Sequence, residues 1–200
     1  MRSLAVVVLL LTALPALGQE ETLVGGQDIE HGGYGALVVK SSKINNEFAL
    51  LMGVRGGWII NHTFSLGLAG YGLVNNVHAL VQGPVGERFV NVGYGGLDLE
   101  FILDSDRLVH ISFHSLIGAG GLGFRRAWDE DWNEGPFAAQ HYNAFFIAEP
   151  AVNVDLNVTS WFRLSAGMSF RLISGVESSA SSNHNLKGPS GMLTLRFGSF

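Results

Sequence analysis

Alternation with a period of two runs through most of residues 33–200, and it settles the class of fold before any other feature is weighed. Side chains of a strand point to opposite faces in turn, so a strand with two unlike faces changes character at every second residue. Phe162, Leu164, Ala166, Met168, Phe170 and Leu172 oppose Arg163, Ser165, Gly167, Ser169 and Arg171. Val109, Ile111 and Phe113 oppose His110, Ser112 and His114. Phe48, Leu50, Met52, Val54, Trp58 and Ile60 oppose Ala49, Leu51, Gly53, Arg55 and Gly57. Eight such segments predict eight strands, near 33–41, 46–60, 62–74, 88–103, 107–124, 143–157, 161–174 and 188–200. In the fourth, Val90, Val92 and Tyr94 share one parity and Leu97, Leu99 and Phe101 the other. A bulge at Gly95-Gly96 is expected to restore the faces.

The connections alternate in length. Asn61-His62, Asp104 to Arg107 and Asn157 to Ser160 are tight, whereas Asn75 to Glu87, Arg125 to Tyr142 and Gly175 to Lys187 are long. The first hairpin, around Ser42 to Asn45, is short and departs from the trend. Short turns at one end and long loops at the other is the layout of a membrane β-barrel, and an even strand count puts both termini on the short-turn side.

Periodicity alone does not separate a soluble sandwich, apolar inside, from a membrane barrel, apolar outside. Three features do. The polar faces carry Gly, Ser and Ala with isolated charges, which suits the narrow interior of an eight-stranded barrel. The inward charges match: Arg55, Arg163, Arg171 and Arg196 against Asp98, Glu100, Glu149 and Asp155. Unpaired burial costs several kcal/mol per ion, so this set predicts a paired interior network. Aromatics end the apolar stripes at Trp58, Phe64, Tyr94, Trp161 and Phe162, as in the girdles at membrane interfaces.

Composition narrows the function classes. Charged residues are 14% of the chain, against about 25% in ordinary soluble proteins. No apolar run after residue 20 approaches the roughly 18 residues of a transmembrane helix. Absence of Cys excludes a disulfide scaffold and any thiolate chemistry. A net charge of −5 argues against nucleic acid as a partner. Met1-Arg2-Ser3, the apolar stretch Leu4 to Leu14 and the small residues Ala16 and Gly18 form a secretory signal peptide. Residues 1–18 are thus expected to be removed, leaving residues 19–200 as one barrel domain.

With a signal peptide, eight alternating strands, alternating loops and a terminal Phe200, the chain resembles the small bacterial outer-membrane barrels of the OmpA-like and OmpX-like group. The resemblance covers essentially residues 19–200 and lies in architecture rather than in a motif. It implies an all-β fold: an eight-stranded antiparallel up-and-down transmembrane β-barrel with short periplasmic turns and longer extracellular loops. It implies location in the cell outer membrane, with lipid and lipopolysaccharide around the barrel. It also implies that the barrel-insertion machinery reads a C-terminal aromatic. Here Phe200 has the opposite parity to Leu193, Leu195 and Phe197. Either the strand bulges near Gly198 or the insertion signal rests on Phe197.

Candidate chemistry is sparse. Gly118 to Gly123 fits G-x-G-x-x-G but lacks the following helix and βαβ context of a dinucleotide site. His110 and Ser112 share a strand face, with Glu149 of inward parity on the next strand, so Ser112, His110 and Glu149 make a conceivable hydrolase set. Lipid A deacylases of the outer membrane carry an H-x-S pair of this kind, but on the lipid-facing side. Here Glu149 is expected to pair with an interior Arg instead, leaving no catalytic site. His110 and His114 stand about 13 Å apart along a strand, too far to share a metal; no metal or cofactor is implied. The loop Arg125 to Tyr142 places Trp128, Trp132, Phe137 and Tyr142 beside Asp129, Glu130, Asp131 and Glu134, a composition suited to an extracellular protein or surface ligand. The leading expectation is a structural or surface-interaction protein, with a narrow pore as its variant. The alternatives are a lipid-modifying hydrolase resting on Ser112 and His110, and a soluble exported barrel of lipocalin type.

Overall fold

The computed structural model describes residues 29–80, 88–126, 140–176 and 181–200. They form strands β1 (His31–Ile44), β2 (Glu47–Ile60), β3 (Phe64–Leu73), β4 (Arg88–Leu103), β5 (Val109–Arg126), β6 (Gln140–Asn157), β7 (Phe162–Ser174) and β8 (Gly188–Ser199), with one helical turn, α1 (Asn183–Leu186), before β8. Each strand pairs antiparallel with its neighbour in sequence, and β1 pairs with β8, so the sheet closes in the order β1 to β8. Closure leaves no strand edge unpaired, a requirement for any sheet in lipid. Among the described residues no helix is long and apolar enough to cross a membrane.

Turn chemistry places the strand ends. Asn45 and Asn46, at φ 50° and 65°, make the two-residue link between β1 and β2. Asn61 and His62, also at positive φ, start the link from β2 to β3. Asn tolerates this left-handed region better than most residues, and such turns match the twist of a hairpin.

The barrel is inside-out relative to a soluble protein. Leu37, Met52, Val54, Leu68, Leu97, Ile117, Phe146, Val154, Met168 and Leu193 lie exposed on its outer wall, Phe146 at 73%. The buried set includes Lys40, Arg55, Asp98, Glu100, Glu149, Asp155, Arg171 and Arg196. A ligand-carrying soluble barrel would turn its apolar face inward around a cavity; here apolar side chains face outward on all eight strands.

The expected bulge at Gly95-Gly96 does not form. The register of β4 runs unbroken against β3, from Gly93↔Gly72 to Phe101↔Phe64, and against β5, from Arg88↔Arg126 to Leu103↔Ile111. The phase change has another cause: the interior itself changes character along the barrel. Val90, Val92 and Tyr94 point inward at the long-loop end, and Asp98 and Glu100 point inward below them. Tyr94 is therefore a lumen residue and not part of an aromatic girdle. The irregularity in pairing lies elsewhere, on β5 against β6 between Leu122 and Phe124.

The upper interior is an apolar plug. Val38, Leu51, Tyr71, Val92, Leu116, Leu122, Phe145, Ile147, Ile173 and Met192 pack as one cluster, joined by Val77, Val176 and Leu186 from the loops and α1. The glycine run of β5 makes room for it. A Cβ on Gly120 would come within 2.6 Å of Phe145 Cε2, and one on Gly118 within 2.7 Å of the Gly96 Cα. Gly here permits close approach inside a narrow barrel, and nothing of a dinucleotide fold surrounds it.

Candidate functional site

The chemistry-bearing side chains converge in the lumen, because every second residue of each strand must point there and the bore is narrow. Below the plug, Arg196 of β8 holds Glu100 of β4 through two nitrogens, Nη2 to Oε1 at 2.7 Å and Nη1 to Oε2 at 3.1 Å. Arg55 of β2 lies 2.6 Å from Asp98 and 3.3 Å from Glu100. Tyr34 donates its hydroxyl to Glu100 at 3.4 Å, and the guanidinium of Arg196 lies 4.6 Å from its ring centre. Such two-toothed, charge-assisted contacts combine strength with fixed geometry. His114 sits in the same layer, where its Nδ1 meets both Arg55 Nη1 at 3.4 Å and Asn153 Nδ2 at 3.0 Å. Both neighbours bring N–H groups to this nitrogen.

Asp155 is held by hydroxyls. Ser112 Oγ donates to its Oδ2 at 2.5 Å, Ser165 Oγ donates to its Oδ1, and Arg196 lies 3.8 Å away. Higher in the barrel, Glu149 is the second anchor. Lys40 Nζ lies 3.0 Å from it, Tyr94 donates to it at 2.9 Å and Ser169 at 2.6 Å. The Lys40 ammonium also sits 3.4 Å from the centre of the Tyr71 ring.

The sequence-derived network of four arginines on four carboxylates is corrected in three respects. Among the described residues, only Arg55 and Arg196 form ion pairs within it. Arg171 reaches from β7 to Ser42 Oγ at 2.8 Å and the Lys43 carbonyl at 3.1 Å. Arg163, at the lower mouth, donates to the Ser105 carbonyl at 3.3 Å and lies 4.1 Å from the ring centre of Phe200. Second, the partner of Glu149 is a lysine, because Arg171 extends toward β1 instead. Third, Lys40 is a fifth interior cation. Its parity matches that of Tyr34, Ala36 and Val38, which is the signal that places it inside.

The residues of the conceivable hydrolase do not assemble. The Ser112 hydroxyl donates a hydrogen bond to Asp155, and His110 Nδ1 faces the Arg107 carbonyl at 3.2 Å. Glu149 belongs to the Lys40 layer above. A nucleophile needs its base within hydrogen-bond reach, and no hydrogen bond joins Ser112 to His110 among the described residues. No group of three or more His, Asp or Glu there could hold a metal.

The terminal aromatics divide between the two faces. Strand β8 keeps its register with β1 through Gly198↔Tyr34 and Ser199↔Gly33, so no bulge intervenes. Phe197 lies outside, with ring centres 5.1 Å from Phe162 and 6.2 Å from Trp161. Phe200 packs inward against the group of Tyr34, Ala36 and Ile59. Trp128, Trp132 and Phe137 fall outside the described residues, as does the side chain of Tyr142.

No protein-family model and no curated protein matches the chain. Solved structures do. Neisserial surface protein A superposes with a TM-score of 0.54 at 12% identity, covering 86% of this chain and 99% of that one. Ail, the attachment invasion locus protein of Yersinia pestis, superposes with a TM-score of 0.50 at 9% identity, covering 84% and 97%. At these identities the likeness is one of fold, and the fold is that of the small eight-stranded outer-membrane barrels.

Proposed function

We propose that the chain is an integral outer-membrane protein with a structural or surface-interaction role, exported by a signal peptide of residues 1–18, and that it is neither an enzyme nor a pore. The observation that carries this reading is the inversion of polarity: an apolar outer wall encloses buried, ion-paired charges. Such a wall suits contact with lipid and lipopolysaccharide, and the lumen leaves the loops as the surface for a partner. Apolar packing of Val77, Val176 and Leu186 over the upper interior argues against conduction. The hydrogen bond from the Ser112 hydroxyl to Asp155, rather than to His110, argues against a serine nucleophile. The names of the two similar proteins, one a surface protein and one an attachment protein, support a role at the cell surface. The loop between β5 and β6, with its tryptophans and acidic residues, is the segment we assign to a protein or surface ligand.

Fractionation of the native envelope with N-terminal sequencing tests location and processing. The expected result is recovery in the outer membrane with Gln19 first. Planar-bilayer recording of the refolded protein should show no conductance steps, and a serine-directed phosphonate should leave Ser112 unlabelled. Folding of the mature chain as a soluble monomer without detergent overturns the reading.

A further inference from the structure

Strands β6 and β7 keep one register on both sides of a gap in their pairing. The ladder runs from Phe146↔Ser174 to Ala148↔Leu172 and resumes at Ala151↔Ser169, the same distance further along each strand. No residue is inserted, so the gap is not a bulge. It leaves Glu149-Pro150 opposite Phe170-Arg171 without ladder pairing. Proline has no N–H to give and belongs at sheet edges and bulges, whereas a closed barrel in constant register offers neither at this point.

On the other side of β6, pairing with β5 is continuous through Ser115↔Pro150. The N–H that Pro150 lacks therefore belongs to the β7 side. Residues opposite one another in an antiparallel ladder exchange both bonds or neither. Pro150 and Phe170 are thus a bonded pair reduced to one bond, from the Phe170 N–H to the Pro150 carbonyl, and the Phe170 carbonyl loses its ladder donor. Both residues lie exposed on the outer wall, where lipid supplies no replacement.

On the lumen side a side-chain bond spans the same seam. Ser169 Oγ of β7 donates to Glu149 Oε1 of β6 at 2.6 Å, beside the gap. Arg171, across the gap from Glu149, reaches away to Ser42 Oγ and the Lys43 carbonyl of β1. Glu149 is buried and fixed from other walls, by Lys40 of β1 and Tyr94 of β4. Ser169 is therefore tied to a carboxylate that the rest of the barrel holds in place.

We propose that the β6–β7 seam at Pro150 is a lateral weak point built into the wall, where local opening of the barrel begins, and that the Ser169–Glu149 hydrogen bond is its latch. The backbone bond missing at Pro150 lowers the cost of parting the two strands at this height. The latch opposes parting from the lumen side. Its release leads from the lipid to the layer of Lys40, Glu149 and Tyr94.

Hydrogen exchange of single amides, read by NMR on the protein refolded in lipid nanodiscs, tests this. A bonded amide exchanges through the local opening that frees it. The N–H groups of Met168, Phe170 and Leu172 all face β6, and Phe170 alone of the three stands opposite the proline. Phe170 should exchange about tenfold faster than the other two, the factor that corresponds to one net hydrogen bond. Pro150→Ala should remove that excess by restoring the second bond. Ser169→Ala should speed exchange at Phe170 further and leave amides of the β2–β3 ladder at their original rates. If Ser169→Ala does not fold, the comparison within the unaltered protein and the effect of Pro150→Ala decide the matter. Exchange at Phe170 no faster than at Met168 and Leu172, an excess that survives Pro150→Ala, or a Ser169→Ala effect that is absent or uniform over all strands each overturn the proposal.

Discussion

Arg196 and Glu100 join opposite walls of the barrel: β8 and β4 lie four strands apart in a ring of eight, and the two side chains meet through a pair of hydrogen bonds at 2.7 and 3.1 Å. The contact is a strut across the bore. Removing one end takes from a buried charge its best-matched partner: Glu100 is left to share Arg55 with Asp98, or Arg196 keeps only a longer contact with Asp155. Breaking a buried pair costs about 3–5 kcal/mol. Arg196→Met and Glu100→Gln should each lower stability to urea in micelles by about that amount. The double variant should lose less than the sum, because it leaves Arg55 matched with Asp98. Additive losses would show that the two residues act separately.

The outer wall makes a second prediction. Met168 is 63% exposed and faces Val152 across the β6–β7 ladder, at mid-height in its strand. Met168→Arg should destabilise the protein in a bilayer by about 2–4 kcal/mol, the range for a midplane cation on a barrel's lipid face. The same change at Trp161, in the turn before β7, should cost less. Comparison of unfolding in vesicles of fixed composition measures both.

A local tether holds the loop after β3. Glu47 accepts from the His78 backbone N–H and faces its Nδ1, each at 3.1 Å. Both side chains are more than two-fifths exposed, so the pair contributes at most about 1 kcal/mol to global stability. Glu47→Ala should leave the unfolding midpoint nearly unchanged. It should speed amide exchange at His78 and protease cleavage within residues 74–80. A fall in global stability without local loosening would contradict this.

The two terminal aromatics should separate by function. Phe197 belongs to an outward cluster with Trp161 and Phe162, whereas Phe200 closes the lower mouth beneath Arg163. Phe197→Ala should reduce the amount of protein inserted in the outer membrane. Phe200→Ala should leave insertion closer to normal and lower the stability of the inserted barrel. Quantifying heat-modifiable, folded protein in envelopes distinguishes the two, and the reverse order would return the insertion signal to Phe200.

Strand count, closure and inward parity were legible in the amino-acid sequence because period two is a property of single residues and their immediate neighbours. What crosses the bore was not. The partner of Glu149 depends on stagger between β6 and β1, which local pattern does not contain. Lys40 was hidden for a related reason: β1 has polar Ser41 and Lys43 outward and apolar Val38 and Ile44 inward, so its faces differ little in polarity. The phase change around Gly95-Gly96 implies a bulge only if one face stays polar throughout, and it does not. The lumen is apolar where Val92 and Tyr94 enter it and charged where Asp98 and Glu100 do.

The placement of the strut also ties closure of the barrel to the charge balance of its lumen. Glu100 and Asp98 are on β4, midway through the chain, and Arg55 on β2 precedes them, but Arg196 comes with the last strand. Without β8, Asp98 and Glu100 therefore face Arg55 as their one ion-paired arginine among the described residues. Docking of β8 against β1 and β7 closes the hydrogen-bonded ring and brings the missing cation in the same movement. Sealing the cylinder and neutralising its centre are a single step, so a chain truncated before β8 keeps an open seam and an unmatched negative charge together.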